Sequence, residues 1–205
     1  MTTAISQPVE ASRVTSVIAL ASSAGGLEAL THVLSALPSD LSAALVVVQH
    51  LDRSHPSHLA EILSRRTRLL VKQAIAHERL VDGTVFIAPP NSHLLVRSNG
   101  CISLSDSPLV HFTRPSADRL FESLALSYRE HAIAVVLTGT GSDGATGAQM
   151  VKRCGGKVIV QDEATSAFFG MPGAAIRAGQ VDMILALDAI AAVLVTLVGT
   201  TQRHD

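Results

Sequence analysis

Val17-Ile18-Ala19-Leu20 runs directly into Ala21-Ser22-Ser23-Ala24-Gly25-Gly26, and that turn into a segment with Leu27, Leu30, Val33, Leu34 and Leu37. The first piece is a short apolar run without alternation, the pattern of a strand buried on both faces. The last has its apolar residues at helical spacing, which predicts a helix over Gly26–Leu37. Strand, turn of small residues, helix: the same unit recurs outward from here. Leu45–Gln49 predicts a second strand, Pro56–Arg66 a helix with its proline in the first turn, and Leu69–Gln73 a third strand. Farther on, predicted helices at Pro115–Tyr128, Ala145–Cys154, Pro172–Ala178 and Asp188–Val198 alternate with strands at Ala132–Leu137, Lys157–Gln161 and Val181–Leu185. Apolar strands separated by helices make a parallel sheet covered on both sides. The expected fold is therefore α/β and doubly wound, a mostly parallel sheet with helices on both faces.

The middle of the chain breaks this rhythm. Thr84–Ala88, Leu94–Arg97 and Ile102–Leu104 are short runs interrupted by Pro89-Pro90, Asn91 and Asn99-Gly100. Asn-Gly is a strong hairpin signal, so a β-hairpin is expected, inserted into or flanking the sheet. Residues 1–13 are polar and aperiodic and predict a disordered tail, leaving one domain over residues 14–200.

Composition excludes several functions. Sixteen basic residues against 17 acidic give a net charge of -1; with no Lys/Arg run, nothing draws the chain to nucleic acid. Aromatics at 3% leave no stacking platform for bases. Apolar stretches stay near ten residues, whereas a membrane span needs ~20, so no membrane insertion is expected. Arg13–Ala24 superficially resembles a signal peptide, but one basic residue precedes the run, Glu10 lies upstream and the apolar part is only strand-length. Cys101 and Cys154 make no disulfide framework, which suits a reducing, cytoplasmic setting.

Open α/β sheets bind their ligands beyond the carboxyl ends of the strands. Ser22 and Ser23 follow the first predicted strand, His50 the second, and Thr138-Gly139-Thr140-Gly141-Ser142-Asp143-Gly144 the strand ending at Leu137. A serine, a histidine and an aspartate on three strand ends are the inventory of serine acyl transfer. Spacing does not choose between the two serines. Gln161–Thr165 should rim the same crevice, and Phe168-Phe169-Gly170-Met171-Pro172 could form an apolar lip. Competing readings attach to each loop. The first turn could cradle a phosphate, yet it lacks both the G-x-G-x-x-G spacing and a Walker lysine. His50, His55 and His58 could bind a metal, but no clear third-ligand spacing or cysteine cluster accompanies them, and no cofactor or metal is expected. Asp143 could serve only as a helix cap.

Together these loops resemble the catalytic domain of the chemotaxis-type protein-glutamate methylesterases, the CheB family. The resemblance runs from about Val17 to about Leu194 and is carried by Ala21–Gly26, Val48-Gln49-His50, Ile87-Ala88-Pro89-Pro90, Arg114-Pro115-Ser116-Ala117-Asp118, Leu137–Ala145, Gln161–Thr165 and Gly170-Met171-Pro172. It implies a serine esterase acting on glutamyl γ-methyl esters, and on glutamine amides, in the helical cytoplasmic region of a methyl-accepting chemoreceptor. It also implies Ser23 as nucleophile, His50 as base, Asp143 as orienting acid, and backbone N–H groups of His50 and Thr140 as the oxyanion hole. Ser23 rather than Ser22 fills the serine place of the family's Gly-Ala-Ser-Thr/Ala-Gly-Gly turn, although here the turn opens Ala21-Ser22. About 16 residues precede the first predicted strand, so the receiver domain usual in the family is not expected within this chain. The other expectation to set against an esterase is a catalytically idle module of the same fold that binds a receptor or kinase.

Overall fold

The structure, a computed structural model, describes residues 14–50 and 57–200. The tail predicted over residues 1–13, His55 and the helix-opening Pro56 lie outside the described residues.

Seven strands form one wholly parallel sheet: β1 (Ser16–Ser22), β2 (Ala43–Gln49), β3 (Leu70–Gln73), β4 (Thr84–Ile87), β7 (Ala132–Val136), β8 (Lys157–Gln161) and β9 (Met183–Leu185), in the order β3-β4-β2-β1-β7-β8-β9. β2 and β7 are buried along their whole length and β1 from Val17 onward, which is why their sequences are apolar without alternation. The remaining strands, β5 (His93–Val96) and β6 (Ile102–Ser105), pair antiparallel as a separate hairpin. Thus the first of the three short central runs joins the main sheet, and only the other two make the hairpin, which flanks the sheet against helix α3 (Ala117–Tyr128). Its loop is Ser98-Asn99-Gly100, with Gly100 at φ 78° and its N–H donating to the Arg97 carbonyl, a three-residue connection ending in a left-handed glycine.

The alternate faces of the strands feed two cores. Ile18 and Leu20 of β1 and Leu45 and Val47 of β2 pack under α1 (Gly26–Ala36), α2 (Leu59–Ser64) and α6 (Leu187–Val198). The opposite face is built from smaller residues, Ala19, Ala21, Ala44 and Ala134 among them, and lies against α3, α4 (Ala145–Arg153) and α5 (Gly170–Ala178). α2 is shorter than the predicted Pro56–Arg66: after Ser64 the chain turns at Arg65 and leads to β3.

From β1 the chain places β2 alongside, runs to the edge strand β3, returns to insert β4 between β3 and β2, and then crosses to place β7 on the other side of β1. The reversal falls at the central strand, and the carboxyl ends of β2, β1 and β7 stand side by side there, where such sheets open a ligand crevice.

Candidate active site

Ser23, His50 and Asp143 follow these three central strands. Ser23 is the first residue past β1 and is held from both sides. Its N–H donates to the Thr138 carbonyl beyond β7 (3.0 Å), and its carbonyl accepts from the Gln49 side chain at the end of β2 (2.8 Å). Gln49 is nearly buried and all three of its polar functions are occupied: Nε2 also donates to the His50 carbonyl (3.0 Å), and Oε1 accepts from Ser22 Oγ (2.6 Å). The two serines thereby separate. Ser22 is fully buried with its hydroxyl bonded to Gln49, whereas Ser23 is part-exposed at the rim.

The close fit requires glycine in two places. A Cβ on Gly26 would come within 2.0 Å of Gln49 Oε1. One on Gly139 would meet Met171 Sδ at 2.4 Å and Ser23 Cβ at 2.8 Å. Gly139 thus lets the loop after β7 lie against Ser23, and it is fastened there by its N–H on the Phe168 carbonyl (2.9 Å) and by its carbonyl, which accepts from Met171 N–H (2.8 Å).

His50 Nε2 lies 2.8 Å from Asp143 Oδ2. Asp143 is buried, and its carboxyl sits over the N-terminus of α3. Oδ1 accepts from Ser116 Oγ (2.8 Å) and Asp118 N–H (3.0 Å); Oδ2 accepts from Ala117 N–H (2.7 Å) and Thr113 Oγ1 (3.2 Å) as well as from the histidine. Burial pushes the acid up, but the hydrogen bonds from His50, the Asp118 and Ala117 amides and Ser116 outweigh it, and the carboxyl falls from the usual 3.8 to about 2. The unsatisfied amides and the dipole of the helix end favour the anion there. An ionised carboxylate can only accept, so Nε2 carries a proton, and in the neutral form of the ring Nδ1 keeps its lone pair. A neutral imidazole fixed in that tautomer, at a strand end beside Ser23, can act as a base.

Other expected parts fall differently. The His50 N–H is committed to the Ser22 carbonyl (3.0 Å), because the β1–β2 ladder runs one residue past the strand. It is therefore not free to bind an oxyanion, and this corrects the expectation from the sequence. The Thr140 N–H, in contrast, has no hydrogen-bond partner among the described residues, and Thr140 is exposed at the loop tip. His58 lies at the surface with its Nδ1 3.6 Å from Glu61. Gln161 turns inward instead of rimming the crevice: its Oε1 accepts from Thr138 N–H and its Nε2 donates to the Thr165 carbonyl (both 2.8 Å). The lip divides, with Phe168 exposed and Met171 buried. Gln49, Thr113 and Ser116 were assigned no role from sequence. Of these, Ser116 alone carried a local signal, since a serine before Ala117-Asp118 and an apolar-periodic run is a helix cap.

Comparison with known proteins decides the family. The CheB methylesterase family model matches residues 18–194. The chain belongs to the CheB methylesterase family. A protein-glutamate methylesterase/protein-glutamine glutaminase of Maricaulis maris is 42% identical over 174 residues, 83% of this chain and 43% of that protein. One of the same description from Geobacillus kaustophilus is 43% identical, over 89% of this chain and 54% of its own length. The chain thus spans about half the length of these relatives, whereas it spans 93% of a putative member from Leptospira interrogans, 38% identical over 88% of this chain. Among solved structures, the CheB methylesterase catalytic domain of Thermotoga maritima superposes with a TM-score of 0.86 at 36% identity, covering 89% of this chain and 98% of that one. The α/β architecture derived above is that of a CheB catalytic domain. No helix among the described residues is long and apolar enough to cross a membrane.

Proposed function

We infer that this domain is a serine esterase that hydrolyses glutamyl γ-methyl esters on a protein, with Ser23 as nucleophile, His50 as general base and Asp143 as the acid that orients it. The contact that supports this most is His50 Nε2 on Asp143 Oδ2 at 2.8 Å, because it commits one ring nitrogen to a permanent anion and leaves the other for the serine. His50 Nδ1 takes the Ser23 proton as Oγ attacks the ester carbonyl. The resulting imidazolium is stabilised by Asp143. The oxyanion faces backbone N–H groups of the surrounding loops, Thr140 first among them, a preorganised donor being worth ~3 kcal/mol. His50 then protonates the departing methoxide, methanol leaves, and water attacks the acyl-enzyme by the same route to return a free glutamate. With an amide substrate the leaving group is ammonia and the steps are otherwise the same. The substrate is the helical cytoplasmic region of a methyl-accepting chemoreceptor, and the setting is the cytoplasm.

The test is methanol release from a methyl-esterified receptor fragment, alongside labelling by a fluorophosphonate probe. Ser23→Ala should abolish both, His50→Ala should lower both by about a thousandfold or more, and Ser22→Ala should retain labelling. A wild-type protein that the probe does not label, or a Ser23→Ala protein that still releases methanol, overturns the assignment. The first of these outcomes is the one expected of an idle binding module.

A further inference from the structure

Residues Val110–Thr113 reverse the chain in a two-residue turn. Val110 N–H donates to the Thr113 carbonyl (3.2 Å) and Thr113 N–H donates to the Val110 carbonyl (2.8 Å), with His111 at φ 47° and Phe112 at φ 63° between them. Two successive left-handed residues are the geometry that normally selects Asn-Gly, since a Cβ is disfavoured at both positions. Here the positions hold a histidine and a phenylalanine. Two contacts hold this unfavourable turn down. Thr113 Oγ1 shares its one proton between the Val110 carbonyl (2.8 Å) and Asp143 Oδ2 (3.2 Å), and His111 Nε2 lies 3.2 Å from the buried Asp118 carboxylate. Phe112 is then 90% exposed, more than any other large apolar side chain among the described residues. Backbone strain and an unburied aromatic ring, in a turn that reaches the orienting acid through Thr113, mark a segment shaped for something outside its own fold.

A second ring answers it at the other end of the triad. Phe168 is 48% exposed, and its carbonyl is the acceptor that fastens Gly139 against Ser23. One exposed phenylalanine thus holds the loop beside Ser23 through its backbone carbonyl, and the other directly precedes Thr113, which contacts Asp143.

We propose that Phe112 is a docking residue that seats the apolar flank of the helical segment bearing the esterified glutamate, and so sets preference for a protein substrate over a small ester. This rests on the esterase reading above. A helix lying across the mouth presents apolar side chains three and four residues from the glutamate, and flanking rings meet such a segment where they cannot both meet a small ester.

The experiment compares a methyl-esterified receptor fragment with p-nitrophenyl acetate for the wild type, Phe112→Asn and Phe112→Tyr. Asparagine tolerates left-handed backbone, so it keeps the turn and removes the ring, while tyrosine keeps the ring. Phe112→Asn should raise KM for the receptor fragment roughly tenfold with kcat much less affected, so that kcat/KM falls about tenfold more for the protein than for the small ester. Phe112→Tyr should return KM to near the wild-type value. Equal losses on both substrates would mean that the turn merely supports Asp143, and would overturn docking, as would an unchanged KM in Phe112→Asn. A wild-type protein that cleaves p-nitrophenyl acetate but releases no methanol from the receptor fragment overturns the substrate reading and this proposal with it.

Discussion

Two buried carboxylates sit within one helix turn of each other at the start of α3, and their surroundings drive them in opposite directions. Asp143 receives five donors from two segments of chain: His50 from one, and Thr113, Ser116 and the Ala117 and Asp118 amides from the other. Asp118, equally buried, receives Gly147 N–H on Oδ1 (2.7 Å), while its Oδ2 faces His111 at 3.2 Å without a well-aligned hydrogen bond. Burial raises both. In Asp143 the donors reverse that effect, to about 2. In Asp118 burial prevails, the negative charge of Asp143 adds to it, and the Gly147 amide and His111 offset it only in part, so its carboxyl lies above 3.8. Depth does not decide the charge of a buried acid; the number of donors aimed at it does.

Replacing the acid with its amide breaks this comparison most sharply. In Asp143→Asn the side-chain nitrogen in place of Oδ2 would donate to His50 Nε2, so the imidazole proton would move to Nδ1 and face Ser23. The base would then lack its lone pair. The expected loss is on the order of 10³- to 10⁴-fold in kcat, with the protein folded, checked by single-turnover methanol release and by circular dichroism. A loss below about tenfold would show that Asp143 caps α3 and does not govern the tautomer.

The same variant carries a smaller, pH-dependent effect on stability. A carboxyl at 3.8 unfolded and about 2 folded stabilises the native state fully above about pH 4. The contribution is lost as pH falls through 2, where both states are protonated. At 1.36 kcal/mol per pKa unit it is about 2 kcal/mol. Asp143→Asn should therefore be less stable than wild type by about that amount in urea unfolding at pH 7, with the gap narrowing on acidification below pH 4. A gap independent of pH would mean that the amide's loss is one of packing.

The fold was legible because the strands that matter most are the simplest to read. β1, β2 and β7 are buried on both faces, so their sequences are plain apolar runs. What sequence left open depends on contacts between distant residues. Ser22 and Ser23 are equivalent by spacing and differ only because Gln49, 27 residues from Ser22, captures one hydroxyl. The His50 amide was expected at an oxyanion and is instead held by one further rung of the β1–β2 ladder, a matter of where pairing stops. The seat of Asp143 was least legible of all: four of its five donors come from residues 113–118, some 30 positions upstream, and Arg114–Asp118 carried family resemblance without a visible role. Thr84–Ile87, too short to show its neighbours, became β4 of the main sheet once β2 and β3 offered open edges.

The mildest change sharpens the comparison from the other side. Because Asp118 is raised in the folded state, its ionisation opposes folding. That opposition is absent below 3.8, grows as pH rises, and is complete above its folded pKa. Asp118→Asn can keep an oxygen toward Gly147 N–H while removing a buried charge and its repulsion of Asp143. It should lie within about 1 kcal/mol of wild type at pH 7, on the stable side, with the advantage disappearing below pH 4, a trend opposite in sign to that of Asp143→Asn. Its kcat should stay within about threefold of wild type, since the Asp118 backbone amide, not its carboxylate, touches Asp143. A stability loss of several kcal/mol would show that the single Gly147 bond and the His111 contact together suffice to hold a charge there, and that counting donors misjudges what a buried aspartate needs.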